Sequence, residues 1–279
     1  SQLSFSMSTT DAERAAARQS APGPLSGDGN GEKREYVRRM FSDIAPRYDM
    51  LNHILALNVD RGWRKRAIRA LDIARVPDGV YLDLCAGTLD IAAHIARQPG
   101  FRGRVIGADF AEPMLRAGLR KAGPSVHPVA ADAVRLPLAD DSVAGAIVAF
   151  GIRNVDGLDD CLAEAYRVLL PGGRFVILEF STPRSPVFAS LYRFYFHHVL
   201  PKIGGALSGH PTAYSYLPKS VDAFPEEAEL ARRMRASGFV DTSWTSLTLG
   251  IVAIHVGLKP AAQSIPEVIR MTGSNAGSF

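Results

Sequence analysis

The stretch Tyr81-Leu82-Asp83-Leu84-Cys85-Ala86-Gly87-Thr88-Leu89-Asp90 constrains the fold of this chain more than any other. An apolar run of strand length passes into small residues and then into a helical pattern, so a buried strand, a tight turn and a helix follow one another. Val80 to Leu84 reads as the strand, Ala86-Gly87-Thr88 as the turn where backbone can approach a ligand, and Leu89 to Arg97 as a helix with free N–H groups at its start. That order builds a pocket at the carboxyl edge of a parallel sheet. Arg104 to Asp109 reads as the next strand, and Asp109 stands 22 positions after Gly87, where its carboxylate can accept both hydroxyls of a ribose.

The turn lacks the G-x-G-x-x-G spacing of pyrophosphate-binding dinucleotide sites. A nucleoside without phosphates fits better, and S-adenosylmethionine is the candidate. The same residues also suit an ordinary strand-to-helix turn, which needs small side chains whatever it binds; both readings stay open at this point.

The rest of the chain repeats the alternation. Val105 to Ala108, Val126 to Ala130, Ala144 to Phe150 and Arg174 to Phe180 read as strands, with helices near Leu89, near Pro113 and over Leu158 to Leu169. Strand–helix alternation predicts an α/β fold with a parallel, doubly wound sheet. Val240 to Leu247 and Ile251 to Leu258 form a final strand pair joined at Leu249-Gly250, which sets the sheet apart from a six-stranded dinucleotide fold. Pro171-Gly172-Gly173 reads as a sharp turn between helix and strand. Ahead of the sheet, Tyr36-Val37, Met40-Phe41 and Ile44 repeat at three and four, followed by Tyr48 to Leu57 and Arg61 to Ile73, a helical cap. Residues 1–30 read as a disordered leader, 31–260 as one domain and 261–279 as a loose tail.

Composition narrows the function classes. The 32 basic and 28 acidic side chains leave a net charge of only +4, which argues against a nucleic-acid partner. Cys85 and Cys161 sit in apolar segments and predict no disulfide, so a reducing, cytoplasmic compartment is expected. No apolar run approaches the roughly 18 residues of a membrane span. No His, Cys and carboxylate grouping has metal-ligand spacing, and no metal is expected.

Taken in order, several strings resemble one family, the class I S-adenosylmethionine-dependent C-methyltransferases of menaquinone and ubiquinone biosynthesis. They are Phe41 to Asn52, Asp83 to Asp90, Phe150-Gly151-Ile152-Arg153-Asn154-Val155, Leu170 to Arg174, Leu178 to Pro183, Tyr214-Ser215-Tyr216-Leu217 and Leu249 to His255. The glycine turn is common to many such enzymes; the F-G-I-R-N-V and Y-S-Y-L strings are narrow.

The resemblance implies a Rossmann-like sheet of seven strands, mostly parallel with the last antiparallel, an N-terminal helical cap and an aromatic helical insertion. It implies S-adenosylmethionine as cofactor, held by Tyr48, Asp83, Gly87, Thr88, Asp109, Asp132 and Ala133. It implies catalysis at Arg153 and Asn154, which would hold a phenolate oxygen or a water. Read without the family, Arg153 suits an ion pair with Asp156 or Glu179, Asn154 a helix cap, Asp132 a turn cap and Tyr48 core packing.

The implied reaction is C-methylation of a polyprenylated quinol, demethylmenaquinol to menaquinol. The alternatives are a polyprenyl-benzoquinol substrate in ubiquinone biosynthesis or a non-catalytic scaffold on the same fold. An oxidoreductase, suggested by Asp109, lacks the phosphate-binding glycines.

Phe188, Leu191, Tyr192, Tyr195, Phe196, Val199 and Leu200 repeat at three and four, a pattern that suits core packing or, in the family's context, a channel for a prenyl tail. With the basic cluster Arg61, Arg64, Lys65, Arg66 and Arg69 it implies transient contact with the inner face of a membrane. A homodimer stays open.

Two departures stand out. Leu89 replaces a glycine the family often carries, and is expected to begin the helix and narrow the turn. Ala149 stands where some members use a serine on the cofactor, so that contact does not carry over.

Overall fold

The computed structural model describes residues 32–45, 59–183, 185–199 and 211–261. Seven strands form one sheet in the order β3-β2-β1-β4-β5-β7-β6. They are β1 (Val80–Leu84), β2 (Arg104–Asp109), β3 (Val126–Ala130), β4 (Val143–Ala149), β5 (Leu169–Phe180), β6 (Val240–Leu247) and β7 (Val252–Leu258). β1 to β5 pair in parallel, and β7 runs antiparallel between β5 and β6. The last strand thus lies inside the sheet, and β6 takes the exposed edge.

Near-continuous apolar runs let the central strands be covered on both faces. Leu82 and Leu84 join one buried cluster with Val148, Leu162 and Phe175, while Tyr81, Ile147 and Val176 join another with Trp63 and Leu89. The alternation along each strand assigns neighbours to opposite layers.

β5 begins earlier than expected. Val143 pairs with Leu169 and Gly145 with Arg174, so residues 170–173 are extruded between two ladder positions. The Pro171-Gly172-Gly173 turn survives as a bulge within the strand, with Gly172 at φ +79°.

The helices are α1 (Glu32–Ile44), α2 (Asp60–Ala70), α3 (Asp90–Ala96), α4 (Glu112–Gly118), α5 (Leu158–Val168), α6 (Pro186–Phe194), α7 (Pro211–Asp222) and α8 (Glu227–Ala236). α1 buries Val37, Met40 and Ile44 with Tyr216 and Val221 of α7, which holds it across the carboxyl edge of the sheet. α6 continues into a π-helical turn at Tyr195–Val199. Tyr48 and the segment Tyr48 to Leu57 lie outside the described residues, as do the leader and most of the tail.

A cleft at the carboxyl edge

Strand order reverses direction between β1 and β4, and the loops leaving those two strands diverge there. The resulting cleft lies where ligands of open α/β sheets bind. Its walls come from the end of β1 (Cys85, Gly87), the end of β2 (Asp109, Phe110), the loop after β3 (Asp132, Ala133) and the end of β4 (Ala149 to Gly151, Asn154). Arg34 and Phe41 reach it from α1.

Two strained backbone positions flank the cleft. Cys85 and Phe150, the first residues past β1 and β4, both hold left-handed φ angles, +55° and +60°. Non-glycine residues keep such angles only where the surroundings enforce them, and functional sites are where this is commonly found. A Cβ at Gly151 would sit 2.4 Å from the Cys85 Cβ, so only glycine lets the two loops touch.

Asp109 anchors the glycine turn. Its Oδ2 accepts from the Gly87 N–H and its Oδ1 from the Ala111 N–H, each at 2.8 Å. Burial pushes its carboxyl up to about 6, while the two amides pull the other way. Each oxygen keeps a lone pair for a further donor.

Asp132 and Ala133 line the same cleft, and Asp132 pairs with Arg34 at 2.8 Å. That salt bridge on the cleft wall carries little stability, because Arg34 is largely exposed.

Asp83 and Thr88, expected on the cofactor, do not line the cleft. Asp83 is buried inside the β1–α3 junction, where its Oδ2 accepts from the Ala92 N–H at 2.9 Å. Burial raises its carboxyl to about 8, against the opposing effects of that amide and Arg64. It ties the helix to the strand. Thr88 is buried too, with its carbonyl 2.3 Å from where a Gly118 Cβ would be. An alternating strand sends Asp83 to the opposite side from the ligand-facing backbone, which the linear motif does not reveal.

Leu89 neither begins the helix nor narrows the turn. It precedes α3 in a left-handed conformation, φ +62°, and is fully buried. Its Cδ2 occupies the space above Gly107, where a Cβ would come within 2.4 Å. The side chain thus points into the core and leaves the cleft open. Leu89→Gly is expected to relieve about 1 kcal/mol of backbone strain and forfeit roughly 3–5 kcal/mol of packing. A lower urea midpoint is the predicted result; a higher one would show that strain outweighs packing.

The structure separates Arg153 from Asn154. Asn154 faces the cleft, and its buried Oδ1 has no hydrogen-bond partner among the described residues. Arg153 turns away: its Nη1 donates to Glu179 Oε1 at 2.7 Å and to the Phe150 carbonyl at 2.6 Å, and its Nε to Ser220 Oγ at 3.3 Å. Of the two ion pairs the sequence allowed, Glu179 is the one formed. The guanidinium lies 5.4 Å from the Phe180 ring centroid, and Phe180 packs 4.8 Å from Phe150 of the cleft wall.

Nucleoside-type chemistry is what this donor set accommodates. An acidic residue with free lone pairs, a glycine turn at φ +51° and a buried amide oxygen lacking a donor all face one cleft. These residues fit S-adenosylmethionine. Residues 29–259 match the ubiE/COQ5 methyltransferase family. The chain belongs to that family.

Among its curated relatives, the demethylmenaquinone methyltransferase of Deinococcus radiodurans is 46% identical, covering 82% of this chain and 94% of the relative. The demethylmenaquinone methyltransferase of Thermus thermophilus is 47% identical, covering 79% and 100%. The ubiquinone/menaquinone biosynthesis C-methyltransferase UbiE of Geotalea daltonii is 44% identical, covering 82% and 98%. Among solved structures, a SAM-dependent methyltransferase from Thermotoga maritima aligns with a TM-score of 0.57 at 19% identity, covering 79% of this chain and 98% of that one, a likeness of fold.

For a ubiE/COQ5 methyltransferase, the sequence motifs missed Arg34, Phe110 and Met114 on the cleft wall. Phe110 directly follows Asp109 and was findable on that ground; Arg34 and Met114 arrive on helices distant in sequence and leave no local signal.

Proposed function

We propose that this protein transfers a methyl group from S-adenosylmethionine to a ring carbon of a polyprenylated quinol, demethylmenaquinol being the substrate. The supporting observation is a cleft with ribose-accepting chemistry at Asp109, opening beside a buried arginine on an aromatic wall. The relatives named demethylmenaquinone methyltransferase support the naphthoquinol ring. The relative named for both quinones keeps a benzoquinol as second reading.

Bound in the cleft, S-adenosylmethionine supplies an electrophilic methyl on a sulfonium. Gly87, Asp109, Asp132, Ala133 and Asn154 would hold its nucleoside and amino-acid ends. The protein's remaining task is to align a nucleophilic carbon with that methyl and to exclude water. A quinol, unlike a quinone, has a ring hydroxyl whose deprotonation makes the adjacent carbon nucleophilic. Phe41, Phe110, Phe180, Tyr192, Tyr195 and Tyr216 cluster above the cleft and suit a flat ring.

Among the described residues no helix is long and apolar enough to cross a membrane. Val187 and Phe194 of α6 are nevertheless exposed, at 83% and 59%, and support brief contact with the lipid surface that carries a prenylated substrate.

The test uses methyl-labelled S-adenosylmethionine with reduced demethylmenaquinone and with a reduced demethylated benzoquinone. Label in the naphthoquinol ring is expected. Transfer to the benzoquinol alone selects the second reading, and transfer to neither overturns both.

A further inference from the structure

Glu179 is the penultimate residue of β5, beside the start of the loop that leaves β4. It is 2% exposed, and its two oxygens are used unequally. Oε1 accepts both the Arg153 Nη1 at 2.7 Å and the Phe180 N–H at 2.9 Å. Oε2 is buried and has no hydrogen-bond partner among the described residues. A carboxylate paired with arginine frequently engages it fork to fork, with both oxygens. Here Oε1 is fixed, while Oε2 has no partner in hydrogen-bonding geometry among the described residues, although the Arg153 N–H also draws on the carboxylate.

One more buried polar atom beside Arg153 and Glu179 shares that condition, Tyr216 Oη. Leaving two such atoms without partners side by side is expensive unless a ligand supplies the missing bonds. The Arg153–Glu179 pair lies directly behind the cleft wall: Arg153 donates to the carbonyl of Phe150, the Phe150 ring packs 4.8 Å from Phe180, and Cys85 of the same wall faces Glu179, so a ring hydroxyl reaches the carboxyl by passing this aromatic layer. A hydroxylated aromatic ring meets this chemistry: it offers a donor for a carboxylate oxygen and an acceptor for a phenol.

We propose that Glu179 is the proton acceptor of the methyl transfer, its free Oε2 taking the proton from the ring hydroxyl while Arg153 fixes Oε1. This rests on the quinol reading above. The hydroxyl O–H bond breaks and its proton goes to Oε2. The oxygen's electron pair is pushed into the ring, the adjacent carbon forms its bond to the donor's methyl, and the carbon–sulfur bond breaks with its pair left on sulfur. The methylated carbon then loses its hydrogen as a proton to solvent, and the ring oxygen regains one from Glu179. One proton is released per turnover, with no oxidation or reduction. Arg153 stays protonated throughout and acts as a positioning residue for the base.

The groups facing Glu179 agree with this role. Arg153 is the cation beside it; Tyr192 from α6 and Tyr216 and Ser220 from α7 surround the pair, Cys85 faces it from the end of β1, and Tyr36 and Asp222 stand behind the two tyrosines. Burial raises both phenols, Tyr216 to about 12, so they remain neutral donors and do not compete as bases. Burial also raises the Glu179 carboxyl above its ordinary range, against the pull of Arg153. The acid limb of turnover therefore falls above the usual carboxylate range, with activity lost as pH drops through it.

Glu179→Gln keeps an oxygen for Arg153 and removes the base. The expected result is kcat lower by about 100-fold or more, KM for the quinol and Kd for S-adenosylhomocysteine each within threefold, loss of the acid limb, and partial recovery at alkaline pH where the quinol ionises unaided. Glu179→Asp keeps a carboxyl and should retain the acid limb at reduced kcat. Independently of turnover, the infrared difference spectrum of the protein on acidification should lose one protonated-carboxyl stretch in Glu179→Gln that titrates above the ordinary range in the parent. Turnover of Glu179→Gln within threefold of the parent, with the acid limb unchanged, overturns the proposal while leaving the quinol reading intact. Failure of the unaltered protein to methylate any quinol overturns both. Weakened S-adenosylhomocysteine binding in Glu179→Gln together with an acid limb lost from Glu179→Asp assigns the residue a structural role and also overturns it.

Discussion

Arg153→Met is expected to lower unfolding stability by about 3–5 kcal/mol and to reduce methyl transfer at least 100-fold. The guanidinium and the Glu179 carboxylate are both almost fully buried, at 8% and 2% side-chain exposure, so the pair has little solvent to fall back on. Methionine fills the volume but leaves Glu179 without its cation, and the Phe150 carbonyl and Ser220 hydroxyl lose a donor as well. The deficit carries a pH signature. An unpaired buried carboxyl binds its proton more tightly in the folded than in the unfolded chain, so the variant loses stability as pH rises through the window above the ordinary value of 4.5. Denaturant midpoints at pH 5 and pH 8 check this. A variant within about 1 kcal/mol of the parent at both pH values would show the pair to be energetically neutral.

Asp109→Ala is expected to weaken S-adenosylhomocysteine binding by at least about 100-fold. The substitution removes the acceptors proposed for the ribose and frees the Gly87 and Ala111 amides, which otherwise hold the turn in shape. Calorimetric titration measures the loss, and an affinity within threefold of the parent would remove Asp109 from the site. In the unaltered protein the hydroxyls favour the ionised carboxylate, so affinity is flat above pH 7 and weakens toward tenfold per unit below about 6. Folding responds in the opposite sense. The folded value, about 6, exceeds the ordinary 3.8, so this group's contribution to stability falls as pH rises between the two.

Much of this architecture was legible beforehand, for a physical reason. β1 runs from Val80 to Leu84 as the apolar pattern indicates, because central strands of a covered parallel sheet are apolar along their length; β3, Val126–Ala130, keeps its expected bounds as a largely exposed edge strand. Gly87 and Asp109 meet as their spacing suggests, since one strand–turn–helix–strand unit brings them together almost regardless of what surrounds it. The direction of a side chain is a different matter. Asp83 belongs to the same motif as Gly87 yet turns into the β1–α3 junction, and Leu89 lies over Gly107 because that glycine, 18 residues on and in another strand, leaves room for it.

The sequence alone thus determined the sheet, the turn and the carboxylate at its edge, all consequences of local periodicity and short-range chain geometry. Only the tertiary structure decided that Arg153 turns from the cleft to Glu179, that Asn154 keeps its oxygen free there, and that α1 brings Arg34 to Asp132. Those outcomes depend on which elements, far apart in the chain, are packed together; the Arg153–Glu179 pair in particular, excluded from water, forms where packing brings its two halves together.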